Sequence, residues 1–361
     1  MRSRAIGGGL ALVAATLVWL SWGGSPARAA IPAGVAGAGG GIVEVPVSFR
    51  VLNTDTSGAP CNPARPSDGK AYTVRGHLTG PSNALAAHSP SAVTLYLFGY
   101  EAGEWNWDLK VPSYDYAADM ARSGHVSLTI DQLGYGASGH PNGNDICMGS
   151  QADIAHQIVS QLRSGNYTLG SRPGVAFASV ILAGHDVGGQ IAEIEAYSYK
   201  DINGLILATW ADQGQTPWII QRSSQAGLDW CPQTPSGYVH FASEQEFRDL
   251  LFFDAERRVV DASNRLRNPN PCGMIGSAGP SVAVDKIRTS DVRVPVLIVF
   301  GANDTLVWTR QGQEQQQDNF TGTTDKTTVF VPRAGHFPML EKTAPAFRSV
   351  VSNWLTSHSG P

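Results

Sequence analysis

Two unbroken apolar runs, residues 180–183 and 296–300, constrain the fold of this 361-residue chain more than any other feature. A strand with one face in solvent alternates apolar and polar residues, whereas a strand covered on both faces is apolar throughout. Strands of the second kind occur mainly in parallel sheets that helices cover on both sides. The two runs therefore predict the α/β fold class.

Further strand-like and helix-like segments alternate along the chain, and no internal repeat is present. Four segments have helical periodicity and separate or follow the strands, as in a doubly wound sheet. The sequence therefore predicts an eight-stranded, mostly parallel sheet. The predicted strands are 42–51, 72–78, 93–98, 125–131, 179–183, 204–209, 294–300 and 327–331, and the predicted helices are 114–123, 151–162, 190–199 and 344–356.

About eighty residues separate the strand at 204–209 from the strand at 294–300, which is far longer than an ordinary connection. This segment is rich in aromatic residues that are able to roof a pocket. We therefore expect a core formed by residues 30–210 and 291–361, with a cap or lid inserted at 211–290. Packing of the same aromatic residues onto the sheet is the simpler interpretation for most of them.

The first 29 residues have the pattern of a secretory signal peptide. Arg2 and Arg4 precede an uncharged apolar run, and the small-residue motif Ala27-Arg28-Ala29 follows it. The apolar run is short for a membrane span, although an N-terminal anchor is the alternative. We expect cleavage, secretion to an extracellular location and no stable membrane insertion afterwards.

The charge balance argues against nucleic acid as a partner. The chain has 26 basic and 30 acidic residues, a formal charge of −4, and no basic block that would follow a phosphate backbone. Removal of residues 1–29 takes away three arginines and no acid, which leaves seven more acidic than basic residues. The sequence makes no prediction of oligomeric state.

The four cysteines are expected to form two disulfides, because an even number in an exported protein usually has that role. Proximity in the sequence favours Cys61 with Cys147 and Cys231 with Cys272 among three possible connectivities. The sequence has no Cys-x-x-Cys pair and no histidines at metal-ligand spacing, so neither a metal nor a cofactor is predicted.

The sharpest local motif is Gly184-His185-Asp186-Val187-Gly188, which directly follows a buried strand and opens a helix. Glycines two places before and after the central residue permit a tight strand-to-helix turn, the nucleophile elbow. The turn brings Asp186 to the carboxyl end of the strand. The first turn of the helix then directs backbone N–H groups at negative charge near that residue.

Two later motifs complete an ordered set of nucleophile, acid and histidine. Asp304 follows the strand at 294–300, and His336 follows the last strand. With these motifs the chain resembles the α/β-hydrolase superfamily over roughly residues 93–355. The segment after the strand at 125–131 also resembles the superfamily, in which Asp131 would support the fold.

An aspartate in the elbow resembles the branch of the superfamily that contains epoxide hydrolases and haloalkane dehalogenases. That resemblance implies attack of Asp186 on an electrophilic carbon, giving an alkyl-enzyme ester. His336, oriented by Asp304, would then activate water to hydrolyse the ester. The backbone N–H groups of Val187 and Tyr100 would form the oxyanion hole.

The chain departs from this branch at two places. Phe98-Gly99-Tyr100-Glu101 replaces the His-Gly-x-Pro of epoxide hydrolases, and Val187 replaces the tryptophan or arginine that usually follows the nucleophile in dehalogenases. Epoxide opening also needs a proton donor above the nucleophile. Candidates for such substrate-binding groups are Tyr238, Tyr100, His240 and Trp105.

Three alternatives follow from the residues. Asp212, just past the strand at 204–209, is a rival to Asp304 for the acid. In the second alternative, the chain is a carboxylic-ester or lactone hydrolase whose serine has become Asp186. In the third, it is a secreted small-molecule binding protein on the same scaffold. In each case the expected partner is a small apolar molecule.

Overall fold

A computed structural model describes residues 41–61, 66–86 and 92–358. The predicted signal peptide at 1–29 lies outside the described residues. The strands are β1 (Ile42–Leu52), β2 (Ala71–Pro81), β3 (Ala92–Leu97), β4 (Ser127–Asp131), β5 (Thr168–Leu169), β6 (Arg172–Pro173), β7 (Ser179–His185), β8 (Gly204–Ala208), β9 (Tyr238–Val239), β10 (Asn270–Pro271), β11 (Val296–Gly301) and β12 (Lys326–Val331).

Helices connect most of these strands. They are α1 (Ser82–Ala86), α2 (Trp105–Asp108), α3 (Tyr116–Arg122), α4 (Met148–Ser164), α5 (Val187–Tyr199), α6 (Pro217–Gln225), α7 (Glu244–Leu250), α8 (Arg257–Arg265), α9 (Cys272–Arg288), α10 (Arg310–Gln315) and α11 (Ala344–His358). The four predicted helices correspond to α3, α4, α5 and α11.

The central sheet has the order β12-β11-β8-β7-β3-β4-β2-β1-β5-β6. The six strands from β12 to β4 run parallel to one another, whereas β2, β1, β5 and β6 each pair antiparallel with the preceding strand in this order. Every residue of β7 and β11 is buried, so both faces of these strands are covered, as their apolar sequences predict.

The sheet has ten strands among the described residues, where the sequence predicts eight. All eight predicted strands are present, and the difference is the two-residue strands β5 and β6, which extend the sheet beyond β1. A two-residue strand is too short to have an alternating pattern, so hydrophobic periodicity does not reveal it.

The segment between β8 and β11 adds no strand to the central sheet within the described residues. It contains α6, α7, α8 and α9, and its strands β9 and β10 form a separate two-stranded sheet. The division into core and cap at residues 211 and 290 stays a prediction.

Both predicted disulfides are present. Cys61 pairs with Cys147, the residue that caps the N-terminus of α4, and Cys231 pairs with Cys272 at the start of α9. The second bridge joins positions 41 residues apart within the segment between β8 and β11. It therefore ties the region after α6 to the first turn of α9.

We predict that the Cys231→Ser/Cys272→Ser variant loses roughly 3–4 kcal/mol of unfolding free energy, because the open chain regains its loop entropy. Limited proteolysis should then cleave between residues 226 and 272 before the rest of the protein. The Cys61→Ser/Cys147→Ser variant is the matched control and should keep this region protected. Equal protection in both variants would contradict the prediction.

Candidate active site

Asp186 occupies a tight turn between β7 and α5. Its backbone has φ 51° and ψ −131°, a conformation that is strained for a residue with a side chain. The turn depends on its glycines, because a Cβ atom at Gly184 would overlap the carbonyl oxygen of Gly188, and one at Gly188 would overlap that of Phe98. The glycine spacing in the sequence therefore reflects direct backbone contacts.

The carboxylate of Asp186 is buried and its two oxygens have different environments. Oδ2 accepts a hydrogen bond of 3.0 Å from the backbone N–H of Tyr100, and Oδ1 lies 3.6 Å from Nε2 of His336. Val187 begins α5, and N–H groups in the first turn of a helix have no acceptor within the helix. One oxygen thus accepts a backbone hydrogen bond from Tyr100, while the other faces the histidine.

His336 lies between Asp186 and a second buried carboxylate. Its Nδ1 is 2.9 Å from Oδ2 of Asp304, which follows the end of β11. The carbonyl oxygen of His336 accepts hydrogen bonds from Nε2 of His185 at 2.7 Å and from Oγ1 of Thr209 at 3.2 Å. Residues at the ends of β7 and β8 therefore hold the loop that carries His336.

These contacts shift the two central pKa values in opposite directions. Burial alone lowers the pKa of His336, but the charges of Asp304 and Asp186 and their hydrogen bonds outweigh burial and raise it to about 10. Burial alone raises the pKa of Asp186, but His336, His185 and the N–H of Tyr100 together lower it. The free protein therefore holds an ionised Asp186 beside a positively charged His336 at neutral pH.

The structure brings Asp304 to His336 and places Asp212 elsewhere. The carboxylate of Asp212 accepts hydrogen bonds from Trp210 Nε1 at 3.2 Å, Gln316 Nε2 at 3.1 Å and Asn319 Nδ2 at 3.0 Å. Burial is the main cause of the raised pKa of Asp212. Asp212 thus belongs to a buried polar network beside α5.

A cavity of about 360 Å³ opens above Asp186. Its wall is largely apolar, and α6, α9 and the tryptophans after β8 and β11 contribute to it. A smaller space of about 30 Å³ adjoins Asp186 and His336, which is enough for one water molecule. The principal lining residues of the larger cavity are Tyr100, Val187, Trp210, Ile219, Ile275 and Trp308.

Of the four candidate proton donors, only Tyr100 lines this cavity. Its buried hydroxyl has no hydrogen-bond partner in the described part of the chain. The Tyr238 hydroxyl donates to the carbonyl oxygen of Pro141 at 2.8 Å, and Trp105 stacks on Phe337.

The fourth candidate, His240, lies 2.9 Å from a carboxylate oxygen of Glu101. Tyr238, Trp105 and His240 therefore make other contacts, and none of them lines the cavity above Asp186.

Glu101 anchors the segment between β8 and β11, a role that the sequence analysis did not identify. Its buried carboxylate lies 3.1 Å from Nε of Arg267, and it accepts hydrogen bonds from Asn270 Nδ2 at 2.9 Å and from the N–H of Phe241. These partners all belong to the segment between β8 and β11. The feature of the sequence that could have identified Glu101 is its position as an acidic residue directly after a buried strand and Gly99-Tyr100.

A model of the alpha/beta hydrolase family matches residues 98–348, which is more than half of the chain. The chain therefore belongs to the alpha/beta hydrolase family. The match spans the elbow, the Asp304 loop and the His336 loop. No curated protein matches the sequence.

Similar solved structures include an esterase from Thermogutta terrifontis, 18% identical, with a TM-score of 0.56 and coverage of 86% of this chain and 99% of the esterase. A monoacylglycerol lipase from Paleococcus ferrophilus is 17% identical, with a TM-score of 0.55 and coverage of 74% and 94%. An E-2-(acetamidomethylene)succinate hydrolase is 14% identical, with a TM-score of 0.55 and coverage of 86% and 99%. These similarities confirm the predicted fold.

In the described ranges, no helix combines the length and apolar character that crossing a bilayer requires.

We predict that Asp304→Asn lowers the pKa of His336 by roughly 1–3, because it removes one of the two carboxylates that stabilise the imidazolium. The ring should therefore lose its proton at a lower pH than in the wild type. NMR titration of ¹³Cε1-labelled histidines measures the change, and the His336→Gln spectrum assigns the signal. Asp212→Asn is the matched control, and an equal effect of both variants would contradict the prediction.

Proposed function

We propose that this protein is a secreted hydrolase of the epoxide hydrolase type, with Asp186 as nucleophile, His336 as base and Asp304 as the acid that orients it. The orientation of the Asp186 carboxylate carries the proposal. Oδ2 is held by the N–H of Tyr100, whereas Oδ1 lies 3.6 Å from Nε2 of His336, and Asp186 lines the cavity. This leaves Oδ1 as the attacking oxygen.

In the first step, Oδ1 attacks an epoxide carbon and the carbon–oxygen bond of the ring breaks. The product is an alkyl-enzyme ester, and the released oxygen takes a proton. The hydroxyl of Tyr100 is our proposed donor, because Tyr100 lines the cavity and its hydroxyl has no hydrogen-bond partner among the described residues. Burial and the charge of Asp186 raise the pKa of Tyr100, so the phenol is protonated in the free protein. Ester formation would remove the charge of Asp186 and make the phenol a stronger acid.

Before the second step, the proton on His336 replaces the one that Tyr100 gave to the substrate, which leaves His336 neutral. His336 then takes a proton from water, and the hydroxide attacks Cγ of the Asp186 ester. Negative charge then develops on Oδ2, where the N–H groups of Tyr100 and Val187 would stabilise it. Collapse of this intermediate releases Oδ1 with the product and restores the carboxylate. The 30 Å³ space beside Asp186 and His336 has room for the attacking water.

The lining of the cavity favours a small, largely apolar substrate, because it consists mainly of aliphatic and aromatic side chains. We propose that residues 211–290 act as the cap, since α6 and α9 supply much of that wall. Secretion remains part of the proposal, and the two disulfides are compatible with an oxidising compartment.

A carboxylic-ester or lactone hydrolase is the second candidate, and the sequence of the elbow favours it. Replacing Asp186 with serine would restore the Gly-x-Ser-x-Gly motif of serine hydrolases. Attack of an aspartate on an ester would instead produce an anhydride, which is a poor intermediate. The two candidates therefore differ in how they respond to the Asp186→Ser substitution.

We predict that Asp186→Asn reduces epoxide turnover by several orders of magnitude without changing the fold, because the amide is a weak nucleophile of the same shape. A panel of epoxides, haloalkanes and aryl esters should be compared on the wild type, Asp186→Asn and Asp186→Ser. Epoxide activity within tenfold of wild type in Asp186→Asn would contradict the assignment of Asp186 as the nucleophile. A gain of ester hydrolysis in Asp186→Ser, with no wild-type epoxide activity, would favour the second candidate.

We predict that His336→Gln accumulates the alkyl-enzyme ester, because attack by Asp186 needs no base whereas ester hydrolysis does. Intact-mass spectrometry should show one substrate adduct, and peptide mapping should place it on Asp186. Wild-type single turnover in ¹⁸O water is the complementary measurement, since the first product should take its new oxygen from Asp186. Absence of the adduct together with labelled first product would contradict the two-step mechanism.

A further inference from the structure

A second group of polar side chains lies at the other end of α5 from Asp186. Glu195 is in the last turns of this helix, about 13 Å along the axis from the elbow. One ligand atom each of Glu195, His156 in α4 and Asp201 in the turn after α5 lie within 4.8 Å of one another. The group thus joins α4 to the end of α5 and the turn that follows it.

Glu195 has an unusual environment for a carboxylate. The residue is 0% exposed, and neither of its carboxylate oxygens has a hydrogen-bond partner among the described residues. One oxygen of Asp201, Oδ1, is also buried and unpartnered there. A buried carboxylate without a donor or a counter-charge is strongly destabilising. These oxygens therefore need a positively charged ligand or a shared proton.

No lysine or arginine of the described residues forms an ion pair with Glu195 or Asp201. The nearby Arg163 instead donates to the main-chain oxygens of Asp201, at 3.0 Å from Nε, and of Ala178, at 3.1 Å from Nη1. It thereby fixes the turn that carries Asp201 and leaves both carboxylates without a guanidinium partner.

The histidine of the group is already oriented. Nδ1 of His156 lies 2.8 Å from Oδ2 of Asp201, and the ring stacks on Tyr199 with a centroid distance of 4.1 Å. The stacking on Tyr199 and the bond from Arg163 to the turn come from outside the group, as is typical around metal ligands, whereas the contact between His156 and Asp201 would open on metal binding. His156 also borders an open groove of about 1120 Å³, which gives an ion access from solvent.

We propose that His156, Glu195 and Asp201 bind one divalent transition-metal cation of the Zn²⁺ class. One imidazole nitrogen and two carboxylate oxygens are a ligand set that Zn²⁺ accepts, with water in a fourth position. Zn²⁺ distances of about 2.0–2.1 Å in a tetrahedral site place the ligand atoms about 3.3 Å apart, so atoms at the 4.8 Å limit would approach one another by roughly 1.5 Å. The ion would join α4 to the end of α5 and compensate the two carboxylates.

The site is independent of the proposed hydrolase chemistry, because none of its residues lines the cavity above Asp186. The sequence does not predict it, since the ligands come from two helices and a turn and form no spacing motif. Its expected role is to stabilise the fold.

Binding of Zn²⁺ to the chelator-treated full protein, measured by isothermal titration calorimetry, tests the proposal. We expect one equivalent with a Kd below 100 µM, and at least 100-fold weaker binding in both Glu195→Gln and His156→Asn. His336→Gln and His77→Asn are matched controls, because each disrupts another group of one histidine and two carboxylates and should leave this affinity unchanged. Anomalous diffraction at the zinc edge should place the ion between the three residues.

A shared proton between Glu195 and Asp201 is the competing explanation, and thermal unfolding distinguishes the two. Zn²⁺ should raise the Tm of the wild type but not that of Glu195→Gln. Absence of wild-type binding below 100 µM, or undiminished binding in Glu195→Gln, would overturn the metal site. Loss of binding in His336→Gln alone would assign the ion to the candidate active site and also overturn it.

Discussion

The turn between β7 and α5 is the constraint on which the candidate active site depends. A side chain at φ 51° is disfavoured by roughly 1–3 kcal/mol, so the surrounding structure must impose it. The N–H of Asp186 donates to the carbonyl oxygen of Ala208 at 3.0 Å, and the N–H of Gly189 donates to that of Asp186 at 2.7 Å. These bonds, together with the buried strand and helix, orient the carboxylate toward Tyr100 and His336.

Much of this arrangement follows from short sequence segments. The continuous apolar runs in β7 and β11 identify buried strands, and Asp186, Asp304 and His336 each lie just after a strand. Because parallel strands end at the same edge of a sheet, local patterns suffice to predict that these residues meet. The choice of Asp304 over Asp212 as the neighbour of His336 needed the structure, because both follow buried strands.

The donors above the nucleophile were harder to predict, because the segment between β8 and β11 is positioned by long-range contacts. Tyr238 lies in a two-residue strand and bonds to Pro141, which no local pattern indicates. Glu101 shows how the segment is held. Its carboxylate binds Arg267 and Asn270, while its neighbour Tyr100 supplies both the N–H to Asp186 and a wall of the cavity. Movement of this segment would therefore shift the N–H of Tyr100, which is the proposed oxyanion donor.

The charges around His336 also suit the order of the proposed steps. The charges of Asp304 and Asp186 and their hydrogen bonds outweigh burial and raise the pKa of His336 to about 10, so the ring of the free protein is protonated and does not act as a base. Formation of an ester on Asp186 would remove one of the two carboxylate charges and lower that pKa, while burial continues to disfavour the imidazolium. His336 would thus become a base only after the covalent intermediate exists. Asp186 would thus act first, as the nucleophile, and Asp304 would then orient the neutral His336 that activates water.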